Sequence, residues 1–155
     1  MMHTQIAMKS TELSHTAAQS ESDSCNDFHL HGEAYRCIDR YLSNLFLQIG
    51  IPANQQGFRF LNEAVKMVVQ EPMLEHRLMR GLYPRLAEHF HTSVYCIEHG
   101  MRCAITTAWN RGRPELAEKF LGRGVMNAYS KPTNGELISL VAENVRLLIN
   151  EHVHD

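Results

Sequence analysis

Three sets of reactive side chains invite a chemical reading, and spacing tests each. Cys25, Cys37, Cys96 and Cys103 are the four cysteines of a 155-residue chain, and no two form a CxxC pair. On a helix Cys96 and Cys103 share one face but lie about 10 Å apart along the axis, too far to bridge. Free thiols in a reducing, cytoplasmic compartment are the expected state. Cys25, His29 and His31 offer metal-ligand side chains, but no fourth ligand stands at a standard spacing, so no metal is expected. Ser93, Glu98 and His99 have the residue types of a hydrolytic triad. Glu98 and His99 are neighbours on a helix and point about 100° apart, so they cannot present a base and its orienter together. The chain contains no GxSxG, HExxH, P-loop or dinucleotide fingerprint. The expectation is a protein that is not an enzyme and uses no cofactor.

Charge says more than reactivity does. The formal net charge is only −2, but it is unevenly spread. Between 77 and 131, Arg77, Arg80, Arg85, Arg102, Arg111, Arg113, Lys119, Arg123 and Lys131 face only Glu88, Glu98, Glu115 and Glu118. In 1–31, Lys9 stands against Glu12, Glu21, Asp23 and Asp27. A basic centre beside an acidic arm suits a polyanion, although solvated helix faces also produce such counts. No apolar run approaches the roughly 18 to 20 residues that span a bilayer, so no membrane partner is expected.

The elements that must carry these residues read as helices. Residues 1–31 are rich in Ser, Thr, Gln, Asn and His without a sustained period, which predicts a disordered or loose arm. The second domain is expected over 32–155. Ala34, Ile38, Tyr41, Leu42, Leu45, Phe46 and Ile49 recur at three- and four-residue steps, and Gly50 and Pro52 then stop the helix. A second helix is predicted over 56–70 and a short one over 73–82, with Met67, Met73, Met79 and Met101 as packing residues. Residues 83–90 form a short helix with Pro84 in its first turn, where a missing N–H costs nothing. After the polar break His91-Thr92-Ser93, where Thr92 or Ser93 can cap, a helix runs from Val94 to Trp109. Its predicted buried stripe is Val94, Ile97, Met101, Ala104, Ile105 and Ala108, with Trp109 more suited to the core than to stacking on a base. Two helices joined by a three-residue turn, the second longer, have the layout of a helix-turn-helix. A short sixth segment covers 115–121. Thr133 and Glu136 have the spacing of a capping box ahead of a last helix. The fold class is therefore all-α, about six helices with an embedded helix-turn-helix.

Ile49-Gly-Ile-Pro-Ala53, Gly57-Phe-Arg-Phe-Leu61, Leu82-Tyr-Pro84, Ala87-Glu-His-Phe90, Ala108-Trp-Asn-Arg-Gly112 and Lys131-Pro-Thr-Asn134 closely resemble the C-terminal effector domain of stage zero sporulation protein A. That family commands endospore formation in Firmicutes. The resemblance covers about 40–150, with the motifs in the same order. It implies a DNA-binding domain whose longer helix enters the major groove of double-stranded DNA, with paired copies on adjacent sites.

Carried over by position, Val94–Trp109 resembles the recognition helix. Its outward face is Tyr95, Glu98, His99, Arg102 and Cys103, with Cys96 and Thr106 at the margins and Thr92 and Ser93 at its entry. Arg102 suits guanine O6 and N7, and Glu98 suits cytosine N4. Arg111, Arg113, Lys131 and the helix start at Thr133 and Asn134 suit phosphates. Tyr83, His89 and His91 stand near that face, with packing or solvent as the alternative for each.

Three departures from the family bear on function. Positions 96, 99 and 103 read Cys, His and Cys, which leaves Arg102 as the only permanent cation of the helix. Gly100 stands where the family helix normally carries Ala, at up to about 1 kcal/mol of helix propensity. The residues before 33 lack the alternating strands and helices, and the acidic cluster, of a receiver domain. Control of this chain by phosphorylation is therefore not expected, and pairing would come from the domain (a homodimer), from DNA or from a regulatory protein. The alternative reading is a protein-interaction module of the same fold, an antagonist of a sporulation regulator that no longer binds DNA.

Overall fold

The computed structural model describes residues 32–111, 115, 118–119, 122 and 131–154. The arm over 1–31, Arg113 and most of the segment 115–121 lie outside the described residues. The chain divides into two compact units, Met1–Cys37 and Ile38–Asp155. The helix-turn-helix belongs to the second.

Among the described residues all regular structure is helical. Helix α1 spans 32–49, α2 Gln56–Gln70, α3 Tyr83–His89, α4 Val94–Asn110 and α5 Asn134–Val153. The predicted stripes are buried over most of their length, with Ile38, Tyr41 and Val94 only partly buried against the core. Leu42, Leu45, Phe46 and Ile49 of α1 join Phe60, Leu61, Ala64, Val65 and Val68 of α2. Ile97, Met101, Ala104, Ile105 and Ala108 of α4 and Leu137, Val141 and Val145 of α5 complete one core. Each large aliphatic side chain so buried contributes about 1.5–3 kcal/mol. Ala34, expected to open the α1 stripe, is exposed.

The segment predicted as one short helix over 73–82 is two pieces. A 3₁₀ turn covers Pro72–His76, and a wider π-type turn covers Leu78–Leu82. Arg77 between them leaves helical geometry at φ −132° and ψ 51°. The cause lies just ahead. Pro84 has no N–H to give the carbonyl four residues earlier, and its ring crowds that carbonyl. The chain widens instead, with Leu82 N–H donating to Arg77 O at 3.1 Å and Tyr83 N–H to Leu78 O, both five residues back. Met73 in the 3₁₀ turn and Met79 in the wider one are each 62% exposed, against the expectation that they pack.

Helices α1 and α3 end in the same way with different residues. After α1, Gly50 at φ +99° lets Gly50 N–H reach Leu47 O at 3.2 Å and Ile51 N–H reach Phe46 O at 2.9 Å. After α3, His91 at φ +54° lets His91 N–H reach Glu88 O at 3.3 Å and Thr92 N–H reach Ala87 O at 2.9 Å. Both are Schellman closures, which satisfy the last carbonyls of a helix and reverse the chain. The second forms the turn between α3 and α4.

Helices α2 and α4 cross at backbone contact. A Cβ on Gly57 would lie 2.1 Å from Gly100 O, and a Cβ on Gly100 would lie 2.9 Å from the Phe60 ring. The departure at 100 thus has a packing reason: the propensity that Gly100 forgoes is exchanged for close approach of the two helices.

Candidate functional site

Helix α4 is positioned from behind and from its two ends. Ser93 is its N-cap, accepting from the Cys96 N–H at 3.1 Å. Behind, Gln55 Nε2 donates to Thr107 Oγ1 at 3.1 Å. Asn134 Nδ2 donates to the Glu98 carbonyl at 3.1 Å and to the Tyr83 hydroxyl at 3.4 Å. Asn134 was expected to face phosphate. It is buried instead, and its amide joins α3, α4 and the start of α5. Tyr83 is buried as well, and burial pushes its hydroxyl above the ordinary tyrosine range. Trp109 is half-buried against the core.

The outer face of α4 is exposed, as the periodicity requires. Tyr95 is 70% exposed, and Cys96, His99, Arg102 and Cys103 are all exposed, with Glu98 and Thr106 half-buried. These side chains are tied to one another. The Tyr95 and His99 rings stack at 5.6 Å with 5° between planes. Arg102 Nε lies 3.3 Å from Glu98 Oε1, and Arg102 Nη2 lies 3.4 Å from Glu98 Oε2 and 3.3 Å from His99 Nδ1. Cys103 Sγ lies 3.4 Å from His99 Nε2. Thr106 Oγ1 donates to Arg102 O at 2.8 Å and accepts from Lys131 Nζ at 2.7 Å. The resemblance implies that Glu98 and Arg102 contact bases separately; the structure joins them in an (i, i+4) ion pair. At the entry, the hydroxyls of Ser93 and Thr92 hold the Cys96 thiol below its usual range.

The cations divide into two places. Arg102 and Lys131 line one groove with Tyr83, Glu98, Thr133 and Gly135. Arg111 lies at the other end of α4, where its Nη1 donates to Gly50 O at 3.4 Å. Thr133 caps α5 in the predicted capping box: Glu136 N–H donates to Thr133 Oγ1 and Thr133 N–H to Glu136 Oε2, each at 3.2 Å. His89 and His91 are exposed beside the turn. Sequence reasoning missed Gln55 and Gly57, which position α4 without facing outward. The Gly57-Phe-Arg-Phe motif contained the signal, a small residue one helix turn from a large one.

No helix of the described residues is long and apolar enough to cross a membrane. Among the same residues no group of three His, Cys, Asp or Glu side chains is placed to hold a metal ion. The family described as Sporulation initiation factor Spo0A C terminal has a model that matches residues 42–145, about two thirds of the chain.

Proposed function

The chain belongs to that family of DNA-binding effector domains, which is not a family of enzymes, and we propose that it is a sequence-specific transcription regulator reading the major groove through α4. The observation that carries this reading is the division of α4 itself. Five residues, Ile97, Met101, Ala104, Ile105 and Ala108, are buried, while Tyr95, His99, Arg102 and Cys103 project from a helix held behind the four-residue turn 90–93. A helix in the groove needs such a free face on a fixed back.

In this reading Arg102 leaves Glu98 and gives two parallel hydrogen bonds to a guanine edge. His99, Cys103 and Thr106 border the neighbouring bases. Lys131 and the start of α5 at Thr133 take phosphate, as do Thr92 and Ser93 at the N-terminus of α4 and Arg111 at its far end, with Arg113, outside the described residues, as a further candidate. A cytoplasmic location and paired copies on adjacent sites belong to the same reading.

The second reading, a protein-interaction module, draws on one observation: exposed Met73 and Met79 border a broad groove with Arg77, Arg80 and Arg85. Selection from a random duplex pool with the purified chain, at two salt concentrations, tests the two. A groove reader enriches one short sequence and loses affinity with a slope of about −0.9 in log K against log salt per phosphate contact. Enrichment of no sequence at low salt removes the regulator reading.

A further inference from the structure

One buried hydroxyl of the domain is only half used. Asn134 Nδ2 donates to the Glu98 backbone carbonyl at 3.1 Å, and a carbonyl can only accept, so the orientation of the amide is fixed. The same nitrogen lies 3.4 Å from the Tyr83 hydroxyl, whose oxygen is therefore the acceptor. The hydroxyl's own proton meets no acceptor among the described residues. Tyr83 is only 3% exposed, and burial holds its hydroxyl above the ordinary tyrosine range, so the proton stays on it. A buried donor is costly unless an acceptor reaches it. Tyr83 lines a groove of about 350 Å³ between α4 and the start of α5, with Leu78, Met79, Ile105 and Pro132 as its apolar walls. Arg102 and Lys131 line it as well. Arg102 is balanced by Glu98 at 3.3 Å. Lys131 Nζ spends one donor on the Thr106 hydroxyl and has no carboxylate partner among the described residues, so the groove carries one uncompensated positive charge.

We propose that this groove binds a small apolar monocarboxylate, and that its occupant competes with duplex DNA for Arg102 and Lys131. The carboxylate accepts the Tyr83 proton that has no other acceptor and pairs with Lys131. The apolar body lies on Leu78, Met79, Ile105 and Pro132. One net positive charge suits one carboxylate, whereas a second would be opposed by Glu98 on the same wall. At the ~30 Å³ that a water occupies in the liquid, the volume admits about a dozen non-hydrogen atoms. Apolar walls with a few convergent polar groups, in a cleft of about 300–1,000 Å³, are the usual form of a small-molecule site. A duplex draws on the same two cations, so occupancy of the groove and retention of DNA oppose each other. That consequence rests on the proposed function, but the carboxylate site does not.

The test titrates the full chain calorimetrically with 4-phenylbutyrate as the probe. The alcohol 4-phenylbutanol, which lacks the charge, and acetate, which lacks the apolar body, are the controls. The acid is expected to bind at least about tenfold more tightly than either. Equal affinity for acid and alcohol overturns the carboxylate site, and equal affinity for acid and acetate overturns the apolar walls. Tyr83→Phe is expected to weaken the acid about tenfold and leave the alcohol unchanged. Lys131→Met, at an exposed position outside the core, is expected to do the same and decides the matter should Tyr83→Phe fail to fold. Undiminished affinity for the acid in Lys131→Met overturns the site. With the acid at about ten times its Kd, duplex retention is expected to fall about tenfold. Unchanged retention at that occupancy overturns the competition. A chain that retains no duplex even without the acid defeats the DNA reading instead, while the titrations still decide the groove.

Discussion

The two faces of α4 are built by different rules. The inner face is specified by other helices: Gly100 meets α2 at backbone distance, and Ile97, Met101 and Ile105 are sealed in the core. The outer face is specified by the helix itself, through contacts three and four residues apart from Tyr95 to Thr106. Contacts of that kind are individually weak, a few tenths of a kcal/mol for an exposed pair. One face therefore sets where the helix lies, and the other can be rewritten without moving it. Cys96, His99 and Cys103 stand on the face where they disturb no packing.

Substitutions that respect or violate this division measure it. The largest effect is expected from Gly57→Ala, whose methyl meets a backbone carbonyl that cannot swing aside. It should cost about 3 kcal/mol or more in denaturant unfolding, at the upper end of overpacking. A loss below 1 kcal/mol would show that α2 and α4 slide freely, and that the inner face is not the anchor. Arg102→Ala comes next and should separate the two readouts. Stability should change by less than about 0.5 kcal/mol, while selected-site affinity falls by about 1–3 kcal/mol and preference at one base pair blurs. Lys131→Ala should instead weaken all duplexes alike and flatten the salt slope by about 1. Equal effects of the two on specificity would merge the roles assigned to them.

Thr133→Ala removes the cap of α5 and should lower stability by about 1 kcal/mol. Since α5 also holds Asn134 against the Glu98 carbonyl, thermal unfolding and duplex affinity should fall together. Affinity unchanged at full folding would mean that α4 needs no support from that side. The smallest effect is expected at His91→Gly. It relieves a left-handed non-glycine residue and should raise stability by up to about 1 kcal/mol, less the entropy that glycine adds to the unfolded chain.

Much of this was legible in the chain, and the limits are physical. Period fixes which residues of a helix are buried, so Ile97, Met101, Ala104, Ile105 and Ala108 were readable together. Capping chemistry is local, so a cap at Thr92 or Ser93 and the Thr133–Glu136 box were readable too, and the structure selects Ser93. Period does not reveal which neighbour a stripe meets, and so Gly100 read only as a lapse in helix propensity. Nor does it register a widened turn, whose cause at Pro84 acts backwards on the chain, or the break at Arg77 that divides the segment of Met73 and Met79 into two pieces. Asn134 was misplaced for a related reason: a polar residue at a helix start suits phosphate and buried carbonyl alike, and only the fold brings Glu98 O within reach.

The ion pair between Glu98 and Arg102 has a bearing on how this surface would discriminate between sequences under the proposed function. Any duplex that draws the guanidinium away must first undo its bonds to the carboxylate, and random sequence offers little in return. A correctly placed guanine restores both bonds in one plane. Under the proposed function the acidic neighbour would thus work as a filter, thinning adhesion to bulk DNA more than adhesion to a preferred site.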